Sequence, residues 1–564
     1  MKRLLKNGTV VNVFTGELIK TNVLFENGII LGVDDYGDDE ADEVIDATGK
    51  YICPGFIDGH IHIESTMLTC PEFAKTAVSH GTTAVIADPH EIANVSGKDG
   101  LRYMLESSEG LPLTVYFVIP SCVPATSFDE SGAVLSADDI EEFYSESRVL
   151  GLGEVMNYVG VVAGDGELEK KIKSALSRGL VVNGHAPLLS GKPLDKYISA
   201  GIGDDHECSS ADEAKERIRK GQRIMIRQGT AARNLSGLIS LFDDPWEQRC
   251  LLVTDDKHPA DLISNGHIDS IIRSAVQMGK SAVTGIRMAT LHAAECFRLK
   301  NTGAVAPGYK ADLLVIDDLD KVIVRDVYKN GEKVVSDGKT LCFDMPKIND
   351  ALEKKVRSSF NLPMLSSSDF DVDYNGKRKC HVISLVDGQL LTDDLVSDID
   401  FDCNNGIDIE HDILKIAVIE RHHNTGHIGN AFIKGIGLKE GAIASSVAHD
   451  SHNLIVIGTN TDDMAFAANR IRELGGGIVS VKNGKVVAEM PLPIGGLMSC
   501  ETAERAAEEN EKVRESVYSL GVPKGFEPFM IMSFLSLPVI PHLKITTKGL
   551  VNVDAQRKVP LAAE

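Results

Sequence analysis

The chain is short of positive charge. Its 564 residues include 58 Lys or Arg against 82 Asp or Glu, a formal net charge of −24. A field of that sign argues against nucleic acid or anionic lipid as a partner. Long apolar runs are missing too. The longest, Phe529 to Ile540, is interrupted by Pro538 and falls short of the roughly 20 residues a membrane helix needs. The opening segment MKRLLKNGTVVN has no apolar stretch of the signal-peptide kind. Together these predict an unexported, cytoplasmic protein with no membrane partner. Among the ten cysteines there is no C-x-x-C pair, which excludes a disulfide framework and a Cys-rich zinc site. Gly475-Gly476-Gly477 lacks the spacing and the Lys of a phosphate loop. No solenoid-length repeat is visible.

What is present describes a folded chain. Hydrophobic content is 43% and charged content 25%, both ordinary for a globular protein. The length suggests about three or four domains. Residues 1–57 read as short strands with turns at Asn7-Gly8 and Asn27-Gly28, the strongest short-range hairpin signal. The pattern returns in Ala311–Ile316 and Val322–Val327, followed by Asn330-Gly331. Between them, strand-length apolar runs alternate with helix-like segments: Gly55–His62, Thr83–Pro89, Thr114–Pro120, Val149–Asn157, Leu180–Pro187, Gly201–Glu207, Arg223–Gly229 and Leu251–His258. Eight such units predict a parallel (β/α)8, TIM-like barrel over residues 58–300. Pro346–Asp373 is polar and Ser-rich and reads as a linker. A C-terminal α/β domain follows, so that linker and domain occupy 346–564. There Thr461–Leu474 carries a helix signature, with Thr461 as N-cap and Gly475 past the end.

The polar residues closing these runs are the informative feature. A barrel of this kind gathers its strand ends at one mouth. His60 and His62 are two apart on a strand, so both imidazoles face one way. Glu154, His185, His206 and Asp255 close four other runs. Four histidines and two carboxylates in one cleft would be costly as mere structure and suit a borderline divalent metal.

Pro54-Gly55-Phe56-Ile57-Asp58-Gly59-His60-Ile61-His62 and Gly303-Ala304-Val305-Ala306-Pro307-Gly308 resemble motifs of the amidohydrolase superfamily. Ala87-Asp88-Pro89-His90-Glu91, Asn183-Gly184-His185-Ala186-Pro187, Ala231-Ala232-Arg233-Asn234 and Ala448-His449-Asp450-Ser451-His452-Asn453 resemble its adenine deaminase branch. The resemblance covers nearly the whole chain. It implies that 1–57 and 301–345 form one small β-sandwich into which the barrel is inserted. It also implies a binuclear centre, with His60, His62 and Asp255 on one metal, His185 and His206 on the other, and Glu154 between them. Two divalent ions, manganese or iron, follow from the family; the ligand types also accommodate zinc. Cyclic-amide hydrolases of the superfamily bridge with a modified Lys, where this chain has Glu154.

The expected reaction is hydrolytic deamination of adenine to hypoxanthine and ammonia, in purine salvage. Asp255 is the expected base toward water. Glu91 is the expected donor to ring N1, a role that needs a carboxyl of raised pKa. His90 is a metal contact or a hydrogen-bond partner, and Glu64 an orienting group. Arg233, Asn234 and His452 are candidate substrate contacts. His422, His423, His427 and His449 with His452 make an unusual density that could cap the barrel mouth or hold a further metal. Alternatives are an amidohydrolase of another aminopurine or a cyclic amide, and an inactive scaffold. A homo-oligomer, dimer or larger, is the expectation for such an enzyme.

Overall fold

The computed structural model describes residues 1–230, 232–372, 378–386, 391–402 and 404–563. Ala231, Asp373 and Glu564, which belong to stretches named above, lie outside them. The eight apolar runs form eight strands, labelled here β1 (Phe56–Ile61), β2 (Thr82–Ala87), β3 (Thr114–Ile119), β4 (Val149–Val155), β5 (Val181–Gly184), β6 (Asp204–Asp205), β7 (Arg223–Arg227) and β8 (Cys250–Val253). β1 to β5 make one curled parallel sheet in chain order, and β6 to β8 a second. The sheets meet at both ends. Gly203 N donates to Val182 O, and Asp255 N donates to His60 O, each over 3.0 Å. β1 and β2 are buried along their whole length, as parallel strands covered on both faces are. That is why they read as continuous apolar runs rather than alternating ones.

The two β-rich pieces flanking this block join in one nine-stranded sheet. Leu313–Ile316 pairs antiparallel with Tyr51–Pro54, Leu314 opposite Cys53. Asn27-Gly28 turns the hairpin between Leu18–Glu26 and Ile29–Asp34, as expected. Asn7-Gly8 does not. It lies inside the strand Arg3–Val11 as a bulge, with Asn7 at φ 63° and a register shift between Leu5 and Gly8. The left-handed position that favours Asn in a turn is used here to kink a strand. A Cβ at Gly8 would lie 2.5 Å from Ile52 Cδ1, so a side chain there requires Ile52 to shift.

The C-terminal part is an eight-stranded sheet with the helix Thr461–Leu474 packed on it. Two sequence expectations change here. The helix is capped by Asn460, whose side chain accepts from Asp463 N, so Thr461 is its first residue; Gly475 ends it at φ 73°. Pro346–Asp373 is more than a linker. Its helix Asp350–Arg357 buries Leu352 and Val356 in the core shared with Leu101 and Met104, and Phe370 is fully buried against the C-terminal sheet. The amphipathic i, i+4 pair Leu352 and Val356 is what the polar composition concealed. The same core takes in Val447, Ile478 and Met490, so the parallel strands and the C-terminal sheet share one apolar interior. No helix among the described residues is long and apolar enough to cross a membrane.

Candidate metal centre

His60 and His62 lie at the end of β1 with their rings perpendicular and 4.8 Å apart. Both are almost fully buried. Glu154, at the end of β4, lies between two sets of imidazoles. Its Oε1 is 3.1 Å from His62 Nε2, 3.3 Å from His90 Nδ1 and 3.7 Å from His60 Nε2. Its Oε2 is 2.6 Å from His185 Nδ1 and 3.2 Å from His206 Nε2. Asp255, just past β8, places Oδ1 3.2 Å from His62 Nε2. His60 stacks on His206, centroids 4.4 Å apart. The six candidate residues thus lie together, with His60, Glu154 and His206 forming one triplet of ligand atoms and His60, His62 and Asp255 another.

Glu207 and His90 join them. His185, His206 and Glu207 form one triplet of ligand atoms within 4.8 Å of one another, and His62, His90 and Glu154 form another. Arg227, from β7, holds two of the carboxylates. It donates to Asp255 Oδ2 (2.5 Å) and to both oxygens of Glu207 (2.6 and 2.9 Å). Asp255 itself sits at φ 60°, a sparsely populated conformation for a non-glycine residue, which turns its carboxylate back toward β1.

A second layer orients the ligands. His62 Nδ1 donates to Asp88 O over 2.8 Å, which orients the ring so that Nε2 faces Glu154 and Asp255. Asp88 Oδ2 accepts from Glu154 N. Asp58 accepts from His60 N (3.2 Å) and Thr254 N (3.1 Å), tying β1 to β8. His267 approaches Asp58 Oδ2 to 3.1 Å and meets Thr82 Oγ1 through its other nitrogen.

The electrostatics are those of a buried, mutually dependent set. Burial, reinforced by His206, drives His60 well below the ordinary imidazole range. Burial would raise Asp255, yet the Arg227 guanidinium together with His62 and His206 holds the carboxyl well below its usual range. Burial likewise opposes protonation of His206, and Glu154 overrides it. His60 Nε2 is buried without a hydrogen-bond partner. A neutral, unpartnered imidazole nitrogen facing a carboxylate is what a divalent cation requires, and mixed imidazole and carboxylate donors fit a borderline metal.

The remaining candidates divide. Glu91 is fully buried. Its Oε1 is 2.5 Å from Ser65 Oγ and 3.6 Å from His449 Nδ1, and its Oε2 is 3.8 Å from His452 Nε2. Glu64 accepts from Ile92 N and is pushed up to about 8 by burial and by Glu91. Asn234 accepts from Arg227 N and donates to His206 O and Cys208 O, so it braces the loop that carries His206. Arg233 is not brought to the cluster. Its side chain is 54% exposed, 4.0 Å from Asp261, because the chain folds back after β7 with Gln228 bridging to Arg233. His427 pairs with Glu130 at the surface. Asp58, Glu207, Arg227 and His267 are not among the residues the sequence pattern singles out. Asp58 and Glu207 each sit within two residues of a ligand at a strand end, a signal that was available. His267 comes from a distant helix start and gave none.

The amidohydrolase family matches residues 51–341, and the adenine deaminase C-terminal domain matches 389–557. The chain is 44% identical over 562 residues to adenine deaminase 2 of Carboxydothermus hydrogenoformans, covering 99% of this chain and 96% of that protein. It is 44% identical over 554 residues to adenine deaminase of Clostridium acetobutylicum, covering 98% and 96%. It is 45% identical over 572 residues to adenine deaminase of Thermosipho africanus, covering 100% and 97%. With its strand-end ligands, its two domain matches and relatives similar from end to end, the chain belongs to the adenine deaminases of the amidohydrolase family.

Proposed function

We propose that the chain hydrolyses adenine to hypoxanthine and ammonia at the centre between β1, β4 and β8. The observation that carries this reading is Glu154, whose two oxygens face two separate sets of imidazoles. Two divalent ions, manganese or iron with zinc as a further fit, would be held by His60, His62 and Asp255 on one side and by His185 and His206 on the other, with Glu154 shared. Such ions supply Lewis acidity, which lowers the pKa of a water from about 15.7 toward about 7. Asp255 accepts a proton from the attacking water and returns it to the amino group that leaves from C6. Glu91 delivers a proton to ring N1, and the proton left on the C6 oxygen restores Glu91 as the carbonyl forms. Arg227 keeps Asp255 ionised and aimed. The two parallel sheets are then the halves of one (β/α)8 barrel over 58–300, inserted into a β-sandwich of 1–57 and 301–345, with 346–564 as linker and C-terminal domain. A role in purine salvage, in the cytoplasm and as a homo-oligomer, completes the reading.

The test is ammonia release from adenine by manganese-supplemented protein, with adenosine, guanine and a hydantoin in parallel and Asp255→Asn as control. Adenine-selective turnover that the control lacks is expected. Absence of turnover on adenine in protein holding two metals per chain overturns the reading.

A further inference from the structure

The candidate metal ligands close the C-terminal ends of the parallel strands. A cavity of about 270 Å3 lies at the other ends, where β5 to β8 begin. Arg223 is the first residue of β7, Arg249 directly precedes β8, and Arg298 follows the helix Leu291–Cys296. All three line the cavity, together with Asp204, Glu295 and Cys296. Burial and Asp204 raise the Cys296 thiol, and all three guanidiniums act against that rise. Three segments far apart in the chain therefore bring their positive charges around one side chain.

The carboxylates of this cavity are already engaged. Glu295 pairs with Arg223 over 3.1 Å. Asp204 accepts from Asn183 Nδ2 over 2.6 Å and from Gly184 N over 3.0 Å. Arg249 and Arg298 make no ion pair among the described residues. Arg249 donates to Gly221 O, and Arg298 donates to Gly179 O over 2.6 Å. A guanidinium has five N–H donors, so most of theirs are unspent. In a chain with 82 acidic residues against 58 basic ones, two such cations without a carboxylate in one cavity run against the overall charge. Burial disfavours the charged form of Arg249, and the neighbouring Arg223 adds to that. An anion bound between them would relieve both.

We infer that this cavity is a binding site for a phosphate-type oxyanion, held by Arg249 and Arg298 with Arg223 as a third arm. The planar fork of a guanidinium matches two phosphate oxygens at once, and charge-assisted bonds of this kind are the strong ones. At about 30 Å3 per water-sized group, the cavity takes a phosphate with a small organic group attached. The site is separate from the metal centre, because β5, β6 and β8 carry His185, His206 and Asp255 at their opposite ends. It is independent of which substrate the metal centre takes.

The test is a calorimetric titration of inorganic phosphate into the full-length, metal-loaded chain, with metal content measured before and after. Binding of one phosphate per chain, weakened by added salt, is expected. Arg249→Gln and Arg298→Gln should each raise the Kd at least about tenfold, the weight of one charge-assisted contact. Arg249→Lys should fall between, since an ammonium keeps the charge and loses the fork. Ribose 5-phosphate, titrated alongside, separates the two sources of the same chemistry. Tighter binding than phosphate assigns the site to a phosphate ester, and equal binding assigns it to free phosphate. No binding at about 10 mM phosphate would overturn the inference. So would a Kd within about twofold of the unmodified chain in both Gln variants, because the phosphate would then sit elsewhere, such as on the metals. Arg298 is exposed and its replacement leaves the Arg223–Glu295 pair in place, so if Arg249→Gln fails to fold, Arg298→Gln decides by the same criterion.

Discussion

At the scale of single residues, the centre depends on groups that touch no metal. Arg227 is the clearest. It is the cation that makes it possible to bury Asp255 and Glu207 side by side, and removing one partner of a buried charge set leaves the others uncompensated. Arg227→Gln should cost about 10–100-fold in metal affinity, the usual effect of losing a ligand's supporting partner, read as faster metal loss to a chelator. Asp58 acts on the backbone instead, since it holds His60 N and Thr254 N together. Asp58→Ala removes a buried acceptor of two backbone amides, and a loss of about 1–3 kcal/mol per amide left unpaired should appear as a lowered urea midpoint. The candidate ligands stand out in the sequence because each ends an apolar run. Of their supports, Asp58 lies two residues before His60 in the same run, whereas His267 reaches Asp58 from a helix start some two hundred residues along the chain.

At the scale of elements, the pattern located strands and helices well and misjudged what ends or bends them. Asn-Gly is one signal with two outcomes. At Asn27-Gly28 the flanking strands pair with each other and a hairpin results; at Asn7-Gly8 one strand continues against the same partner and a bulge results. Local conformational preference is the same in both, and the partner decides. The helix Thr461–Leu474 shows the reverse, a boundary set locally. Asn460 accepts from Asp463 N over 2.8 Å, so Asn460→Ala should cost about 1 kcal/mol, whereas Thr461→Ala should leave stability nearly unchanged. Comparing the denaturation midpoints of the two variants tests the assignment.

At the scale of the whole molecule, the junction between the parallel-strand block and the C-terminal domain is where the chain should respond to pH. Asp129, between β3 and β4, lies against Asn453. Burial pushes it up to about 7, against hydrogen bonds from Ser451 and the Glu130 backbone, with Asp450 raising it further and Lys548 lowering it. In the unfolded chain it would titrate near 3.9. The folded state therefore binds the extra proton between these values. Its contribution is full below about 4, declines as pH rises and is lost above about 7, on the order of 4 kcal/mol at the limit. Asp129→Asn should flatten that decline in a pH series of unfolding midpoints, and an unchanged slope would show that Asp129 does not carry it.

Local pattern was enough to place the parallel strands, the ligands at their ends and the helix Thr461–Leu474, because burial periodicity and strand-end polarity are written in adjacent residues. Three-dimensional contact was needed for everything that depends on distant partners. It joined residues 3–54 and 313–340 in one sheet, turned the polar stretch after Pro346 into a packed helix, set Arg233 outside the cluster and Glu207 inside it, and brought His449 and His452 against Glu91. Those outcomes are set by which surfaces meet, and no window along the chain contains both sides of such a contact.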